Sequence, residues 1–225
     1  MNYFLTKIKF MIRKVIIGAL ALFVTAGAVN AQTQFGIKGG FNAANMTNDN
    51  GSTTDTKRLP TFHAGVVADL GITEMFSVRT GLDLQSKGWK YTYGSTEYSS
   101  NPLYLELPVN FTVNFPVANS VKMYVGAGPY VAYGVGGKVK ATSGSSSVDD
   151  KINFTKEQTV ASWIPGREYK PLDAGANVIG GVTFNNKFGI NLQYGLGMVN
   201  TVPESSNDNK ANKHRVFGVG GVFYF

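Results

Sequence analysis

Residues 103–115 read Leu103-Tyr-Leu-Glu-Leu-Pro-Val-Asn-Phe-Thr-Val-Asn-Phe115, and every odd-numbered position carries an apolar side chain. The even-numbered positions carry Tyr104, Glu106, Pro108, Asn110, Thr112 and Asn114, most of which are polar. Side chains on a β-strand alternate between its two faces, so this strand has one wholly apolar face. Strands are typically about 5–6 residues long, whereas a membrane-crossing strand needs about 9–11 residues. The stretch therefore predicts a strand with lipid on one side and a polar lumen on the other.

The same alternation recurs along the chain. In each segment the side chains on one face are apolar, and the other face carries most of the glycine and charged residues. The eight segments are 35–44, 62–70, 76–87, 103–115, 121–135, 172–184, 188–198 and 217–225.

The connections between these segments alternate in length. Those at 71–75, 116–120 and 185–187 are short, and the long ones, rich in Ser, Asn, Asp, Gly and Lys, are 46–61, 88–101, 136–171 and 202–213. A meander with short turns at one rim and long loops at the other is typical of bacterial outer-membrane barrels. Backbone groups in lipid must all be paired, so the sheet is expected to close on itself. We predict a monomeric, all-β fold over residues 32–225, an eight-stranded antiparallel up-and-down transmembrane β-barrel with both termini at the periplasmic rim.

Composition agrees with a barrel whose strands are half polar. The chain has 27 Gly and only 16% charged residues, and it has no Cys, which excludes disulfides and thiolate chemistry. The formal net charge of +7 falls to +3 when the four basic residues of the N-terminal leader are removed. That excess is too small to indicate a nucleic-acid partner.

Residues 1–31 are predicted to be a cleaved signal peptide. A basic start precedes the apolar run 15–24, and small residues lead to Ala31, after which cleavage is expected. Cleavage after Ala28 and a start at Met11 remain open alternatives. A retained membrane anchor is the other reading, but the apolar run is shorter than the roughly 20 residues that a spanning helix needs.

Aromatic side chains cluster at the strand ends beside the short turns. They are Phe76, Phe115, Phe184, Phe188, Phe223 and Phe225. Girdles of aromatic residues at the headgroup level are a property of membrane barrels, whereas a soluble barrel would turn such rings inward.

Three motifs and the C-terminal residue resemble the PorT-type outer-membrane β-barrel family of Bacteroidetes. The motifs are Phe35-Gly-Ile-Lys-Gly-Gly-Phe-Asn-Ala-Ala-Asn45, Leu105-Glu-Leu-Pro-Val109 and Tyr124-Val-Gly-Ala-Gly-Pro-Tyr130. The resemblance covers the mature chain and implies an eight-stranded barrel, but no particular activity, because most members have no assigned biochemical function. It also implies that the outer-membrane insertion machinery reads the C-terminal aromatic residue, here Phe225 with Phe223 and Val219 on the same face.

Seven charged residues are predicted to face the lumen: Lys38, Asp69, Arg79, Asp83, Glu106, Lys122 and Asp173. They could line a polar conduit or a ligand site. Alternatively they pair across the lumen and fix the register, since an unpaired buried charge is costly. Eight strands enclose an interior just wide enough for side chains to fill, which favours the second interpretation.

No catalytic, cofactor-binding or metal-binding residues are predicted. His63 and His214 are the only histidines, and no Ser stands at the neighbouring inward positions to serve as a nucleophile. Two histidines without a third ligand make a weak zinc site. The acidic loop at 48–55 lacks the closing Glu of a calcium-binding EF-hand loop.

The long connection 136–171 is the segment in which specificity is expected to lie. It contains two stretches that could extend the barrel strands as a hairpin, followed by Trp163, Arg167 and Tyr169, residue types that are common at binding hot spots. Trp163 could instead pack across the barrel mouth or anchor at the membrane interface.

The sequence favours a non-enzymatic outer-membrane protein that contributes to envelope structure and presents its loops to an extracellular partner. On this hypothesis, removing residues 143–162 leaves barrel assembly intact and abolishes partner binding. A narrow channel for small solutes or ions is the alternative. A further alternative, an accessory role in protein secretion, rests on family analogy alone.

Overall fold

A computed structural model describes residues 33–48, 56–155, 166–203 and 212–225. The leader 1–31, the loop 49–55 and Trp163 lie outside the described residues. The twelve strands are β1 (Thr33–Asn48), β2 (Leu59–Gly71), β3 (Phe76–Ser86), β4 (Trp89–Tyr93), β5 (Thr96–Ala118), β6 (Val121–Ser143), β7 (Ser146–Lys151), β8 (Asn153–Phe154), β9 (Glu168–Tyr169), β10 (Leu172–Phe184), β11 (Phe188–Gly197) and β12 (Asn212–Tyr224). Over the described ranges, there is no helix with the length and apolar character to span a membrane.

Eight of these strands form a closed antiparallel ring. Their order is β1, β2, β3, β5, β6, β10, β11 and β12, so each barrel strand pairs with the next barrel strand along the chain. The ring closes where the first strand pairs with the last, from Gly36 opposite Tyr224 to Asn48 opposite Asn212. The predicted eight-stranded up-and-down β-barrel is confirmed. Closure pairs both edges of every strand in the ring, as a lipid environment requires.

The barrel has two different ends. At the short-turn rim, tight turns join β2 to β3, β5 to β6 and β10 to β11, and the chain enters β1 and leaves β12. The β10–β11 turn uses Asn185 and Asn186 at φ values of 51° and 53°, a conformation that asparagine tolerates better than most residues. All the longer connections lie at the opposite end, the long-loop rim.

The polarity of the barrel is the reverse of that in a soluble protein. Its outer surface carries exposed large apolar side chains, including all six predicted girdle phenylalanines at the short-turn rim: Phe76, Phe115, Phe184, Phe188, Phe223 and Phe225. Its interior buries polar and charged side chains, among them Asp83, Glu106 and Asp173. This arrangement is stable only when lipid covers the outer surface.

Two of the predicted loops contain strands. β5 and β6 are each 23 residues long and continue past the barrel, where β4 pairs with β5 and β7 pairs with β6. The resulting sheet, in the order β4-β5-β6-β7, occupies most of 88–101 and the first part of 136–171, and we call it the extension sheet. The suggested hairpin in the second segment is therefore present, whereas the expectation of a loop over 88–101 was wrong.

A small apolar cluster closes the barrel at the long-loop rim. It consists of five buried side chains, with Tyr91, Tyr98, Phe154 and Val202 packed against them; the five are Met46, Trp89, Val139, Ile152 and Tyr169. We call this cluster the mouth plug. A two-residue parallel pairing of β8 with β9 holds Tyr169 in place.

Candidate functional site

Buried ion pairs line the lumen, and those of Lys38 with Asp83 and of Lys87 with Asp173 join strands that are not neighbours. Lys38 Nζ on β1 lies 2.7 Å from Asp83 Oδ2 on β3. Lys87 Nζ, just after β3, lies 2.8 Å from Glu106 Oε2 and 2.8 Å from Asp173 Oδ2 on β10. Backbone hydrogen bonds join only adjacent strands, so these pairs add connections across the interior. They hold the barrel cross-section in one arrangement.

The network extends beyond the charged residues. The Asn177 amide donates to Glu106 Oε1 at 3.0 Å, and the Tyr130 hydroxyl donates to Asp173 Oδ2 at 3.3 Å. His214 Nδ1 lies 3.3 Å from the same oxygen of Asp173. The lumen at this level is filled by side chains that bond to one another.

A second group of charges lies near the short-turn rim. Arg79 bonds to Asp69 through two guanidinium nitrogens, and its Nε lies 3.2 Å from Asp69 Oδ2. The guanidinium carbon is 3.8 Å from the centre of the Tyr124 ring, which is a cation–π distance. Together with Tyr224, these side chains line the inner part of a cavity of about 590 Å³ that occupies the short-turn end of the barrel.

Lys122 stands apart from the other predicted lumen charges. Its side chain lines the same short-turn cavity but is exposed. The structure brings Lys38, Asp83, Glu106 and Asp173 into the central network and pairs Arg79 with Asp69. It leaves Lys122 at the rim.

Two smaller cavities lie between the two ends of the lumen. One internal cavity of about 30 Å³ lies beside Asp83 and Tyr224, and another of about 10 Å³ lies beside Lys87 and Glu106. A cavity needs about 10–15 Å³ of such volume to hold one water. These two cavities therefore have room for single waters.

Inward-facing glycines make room for side chains from other strands. A Cβ atom added to Gly134 would overlap the ring of Phe154, which packs beneath the mouth plug. A Cβ at Gly40 or Gly220 would lie within 2.9 Å of the His63 ring. In these positions the absence of a side chain lets a neighbouring ring fill the lumen, and it does not open a path for water.

Both histidines are buried in polar contacts. His63 Nδ1 lies 2.8 Å from Asn42 Oδ1. The His214 ring stacks on Tyr169 at a centroid distance of 6.0 Å, and its Nδ1 faces Asp173. These contacts go to an amide and a carboxylate rather than to a hydroxyl that could act as a nucleophile. Among the described residues, no group of three or more His, Asp or Glu side chains could hold a metal ion.

The mouth plug contains a chain of hydrogen bonds that leads to the backbone. The Trp89 indole N–H donates to the Tyr169 hydroxyl at 2.9 Å, and that hydroxyl lies 2.8 Å from Ser100 Oγ. Because Ser100 donates its only proton to the Gly166 carbonyl at 2.7 Å, Tyr169 must be the donor to Ser100. Burial raises the pKa of Tyr169 to about 12, and the hydrogen bond donated by Trp89 opposes the shift.

The predicted extracellular contact residues have different environments. Tyr169 is only 1% exposed, so the expectation that it offers a contact surface is corrected: its ring and hydroxyl are used inside the mouth plug. Arg167 is partly exposed and lies 3.1 Å from Asp150 Oδ2. Near the other rim, Val219, Phe223 and Phe225 share the outer surface, and the Phe225 amide donates to the Phe35 carbonyl at 2.9 Å.

Lys87, the residue that joins Glu106 to Asp173, was not among the predicted lumen charges. The signal was present, because the inward positions of β3 are odd-numbered and residue 87 continues that series at the end of the predicted segment. Tyr130 was missed because an aromatic residue on the polar face of β6 carries no charge to mark it.

Fold and lumen together define an integral outer-membrane β-barrel protein. Residues 30–202 match the family described as the outer membrane protein beta-barrel domain, and the chain belongs to that family. The match ends before β12, the strand that closes the ring.

Several solved structures are similar to this chain. The attachment invasion locus protein Ail of Yersinia pestis is 12% identical over 87% of this chain and 100% of its own, with a TM-score of 0.40. Neisserial surface protein A is 13% identical over 87% and 100%, with a TM-score of 0.44. OprG of Pseudomonas aeruginosa is 12% identical over 85% and 95%, with a TM-score of 0.41. No curated protein matches the sequence.

Proposed function

We propose that this protein is a non-conducting, non-catalytic barrel that anchors the extension sheet and its adjoining loops at the cell surface. There it contributes to envelope structure and presents these elements to an extracellular partner. In this proposal the protein is a monomeric, PorT-type member whose short-turn rim and both termini face the periplasm. The outer-membrane insertion machinery assembles it into the bilayer.

The filled lumen is the observation that carries this proposal. Two cavities between the short-turn cavity and the mouth plug are small, about 30 and 10 Å³, and cross-lumen ion pairs fix side chains that line them. A channel requires a continuous hydrated path, and the 590 Å³ cavity reaches only one end of the barrel. Scaffolds of this kind commonly act through the segments that they display.

Conductance in planar bilayers tests the non-conducting part of the proposal. The wild-type protein is expected to give no steady openings. Arg79→Ala should also remain closed, because Lys87, Tyr130 and the mouth plug still block the far end. Steady openings that change with Arg79→Ala or Glu106→Ala would instead establish a pore.

Cysteine labelling tests the orientation, and the absence of native Cys gives a clean background. Val148 on β7 is exposed at the long-loop end, and Glu74 is exposed in the β2–β3 turn at the other end. In intact cells a membrane-impermeant maleimide should label Val148→Cys and leave Glu74→Cys unlabelled until the outer membrane is permeabilised. The reverse pattern would overturn the surface role.

A further inference from the structure

A β-bulge in β6 changes which of its side chains face outward. Leu103 pairs with Gly136 and Tyr104 pairs with Gly134, so the register passes over Val135. Paired residues of neighbouring strands share one face of the sheet. On the barrel side of the bulge the odd-numbered residues of β6 face the lipid, and beyond it the even-numbered residues face outward.

The bulge separates apolar from basic side chains in the extension sheet. Val139 and Ala141 turn inward and are buried, the former in the mouth plug. Lys138 and Lys140 turn outward, and both are exposed. Without the bulge, these two lysines would point into the mouth plug.

The outward lysines stand just beyond the lipid-facing surface of the barrel. Val135 is the last outward-facing apolar residue of β6, and a strand rises about 3.3 Å per residue, which puts Lys138 about 10 Å and Lys140 about 16 Å further along. Barrel strands tilt by about 35–45°, so the heights above Val135 are somewhat smaller. Headgroups extend only some 5–8 Å beyond each side of the hydrocarbon core. A flexible lysine side chain at these positions reaches the headgroup layer.

The three lysines on this surface outnumber the carboxylate beside them, because Asp149 lies directly opposite Lys140 and also bonds to Lys138. Lys138 lies directly opposite Lys151 on β7, and like charges in opposing positions repel each other. Asp149 approaches Lys138, with its Oδ2 3.1 Å from Nζ, but both side chains are more than half exposed. Lys140, Lys138 and Lys151 thus form a basic surface with one carboxylate among them. An anion between the lysines would relieve their repulsion.

We propose that Lys138, Lys140 and Lys151 bind the phosphate groups of phosphorylated lipid in the leaflet that surrounds the long-loop rim. The surface is continuous with the lipid-facing exterior, it is basic, and its lysine side chains reach down to the headgroup layer. In the orientation given under the proposed function, on which the choice of leaflet rests, this lipid is the phosphorylated glycolipid of the outer leaflet. The headgroup phosphates hold the extension sheet upright on the membrane.

Thermal unfolding in lipid nanodiscs tests the proposal, with lipid A added in increasing proportion to phosphatidylcholine. Lipid A should raise the unfolding temperature of the wild-type protein, and the double variant Lys138→Gln/Lys140→Gln should lose most of that increase. The charge-preserving variant Lys138→Arg/Lys140→Arg should retain it. Lys122→Gln/Lys187→Gln, which removes two exposed lysines from the short-turn rim, is the matched control and should also retain it.

Salt gives an independent readout, because screening weakens exposed charge pairs and the Debye length is only about 10 Å at 0.1 M. Raising the salt should reduce the effect of lipid A on the wild-type protein and leave the double glutamine variant unchanged. An equal lipid A effect in the wild-type protein and that variant would overturn the proposal. Both leaflets of a nanodisc carry lipid A, so this result is independent of orientation, which cysteine labelling decides separately.

Discussion

The ammonium group of Lys87 lies 2.8 Å from Asp173 Oδ2 across the barrel lumen, although 86 residues separate the two in the chain. Both side chains are almost fully buried, and Lys87 also lies 2.8 Å from Glu106. One cation therefore neutralises two carboxylates on different strands. Removing the Lys87 ammonium group would leave the buried carboxylates of Glu106 and Asp173 without a cation between them.

Lys87→Met should destabilise the barrel by about 3–5 kcal/mol, the cost of breaking a buried ion pair from one side. Urea unfolding in detergent, monitored by the heat-dependent shift on a gel, measures the change in the free energy of unfolding. Lys90→Met is the matched control, because Lys90 pairs with Glu97 at 3.2 Å on an exposed surface, where such pairs contribute about 0–1 kcal/mol. Adding Glu106→Gln and Asp173→Asn to Lys87→Met should recover part of the loss. Equal effects of the two methionine variants would show that Lys87 does not hold the lumen together.

The sequence predicted the barrel because its strands face two different solvents. In Leu103–Phe115 the apolar face meets lipid along its whole length, so the alternation is unbroken. Pairing partners inside the lumen depend on which strands face each other across the ring. Alternation identifies Asp173 as inward but contains no information on whether Lys87 or Lys38 reaches it.

A tyrosine in the mouth plug should give the plug a pH dependence. The pKa of Tyr169 is raised to about 12 by burial, whereas an exposed tyrosine titrates near 10. Its contribution to stability is therefore complete below pH 10 and is lost as the pH rises towards 12, because the unfolded chain releases the proton first. Unfolding measured from pH 8 to 12 should show a steeper loss in the wild-type protein than in Tyr169→Phe.

At neutral pH, Tyr169→Phe should itself cost about 1–3 kcal/mol, since it leaves the buried indole N–H of Trp89 without its acceptor. Tyr93→Phe is the control, because Tyr93 is 77% exposed at the tip of the β4–β5 hairpin. A pH profile identical in the wild-type protein and Tyr169→Phe would contradict the role assigned to this hydroxyl.

Two adjacent glycines at the β6 bulge should respond very differently to substitution. Gly137 has a φ of 138°, and a Cβ there would lie 2.8 Å from Pro102 Cα and 2.9 Å from Ile152 Cδ1. A Cβ at Gly136 would meet nothing within 4 Å. Gly137→Ala should therefore lower stability by about 1–3 kcal/mol, a typical cost of a strained backbone conformation, and Gly136→Ala should change it little. Similar unfolding curves for the two variants would argue against the bulge.

The β6–β7 half of the extension sheet was suggested as a hairpin, whereas its β4–β5 half was not predicted. The alternation of β6 was followed to Val135, because Gly136 and Gly137 had the pattern of a strand that ends. Val139 and Ala141 stay at odd-numbered positions beyond the bulge but turn inward, so the sequence does not show the change of face. On β5 the positions before Leu103 place polar side chains on both faces, because water rather than lipid covers the outer one.

Because residues of the long connection belong to the mouth plug, the deletion of residues 143–162 needs a different design. Removing residues 143–162 would take away Ile152 and Phe154, which belong to the plug or pack against it. A loss of binding in that variant could then follow from an open mouth. Removing 141–143 together with 146–148 shortens both strands of the hairpin equally, keeps Gly144 and Ser145 as the turn between the opposed residues Lys140 and Asp149, and spares both side chains. This variant should leave the heat-dependent gel shift unchanged while abolishing partner binding.

The C-terminal residue should matter for assembly in the cell more than for stability. Phe225 is 77% exposed, and its main contact with β1 is a backbone hydrogen bond to Phe35 that a substitution leaves in place. If the insertion machinery assembles this barrel as proposed, Phe225→Ser should lower the amount of folded barrel recovered from the outer membrane, because the machinery would no longer read an aromatic terminus. Phe115→Ser, at the same rim and also exposed, is the control for losing one interfacial ring. The two purified variants should refold into detergent with equal yield. If both variants show the same loss of folded barrel in cells, the terminal residue is not an assembly signal.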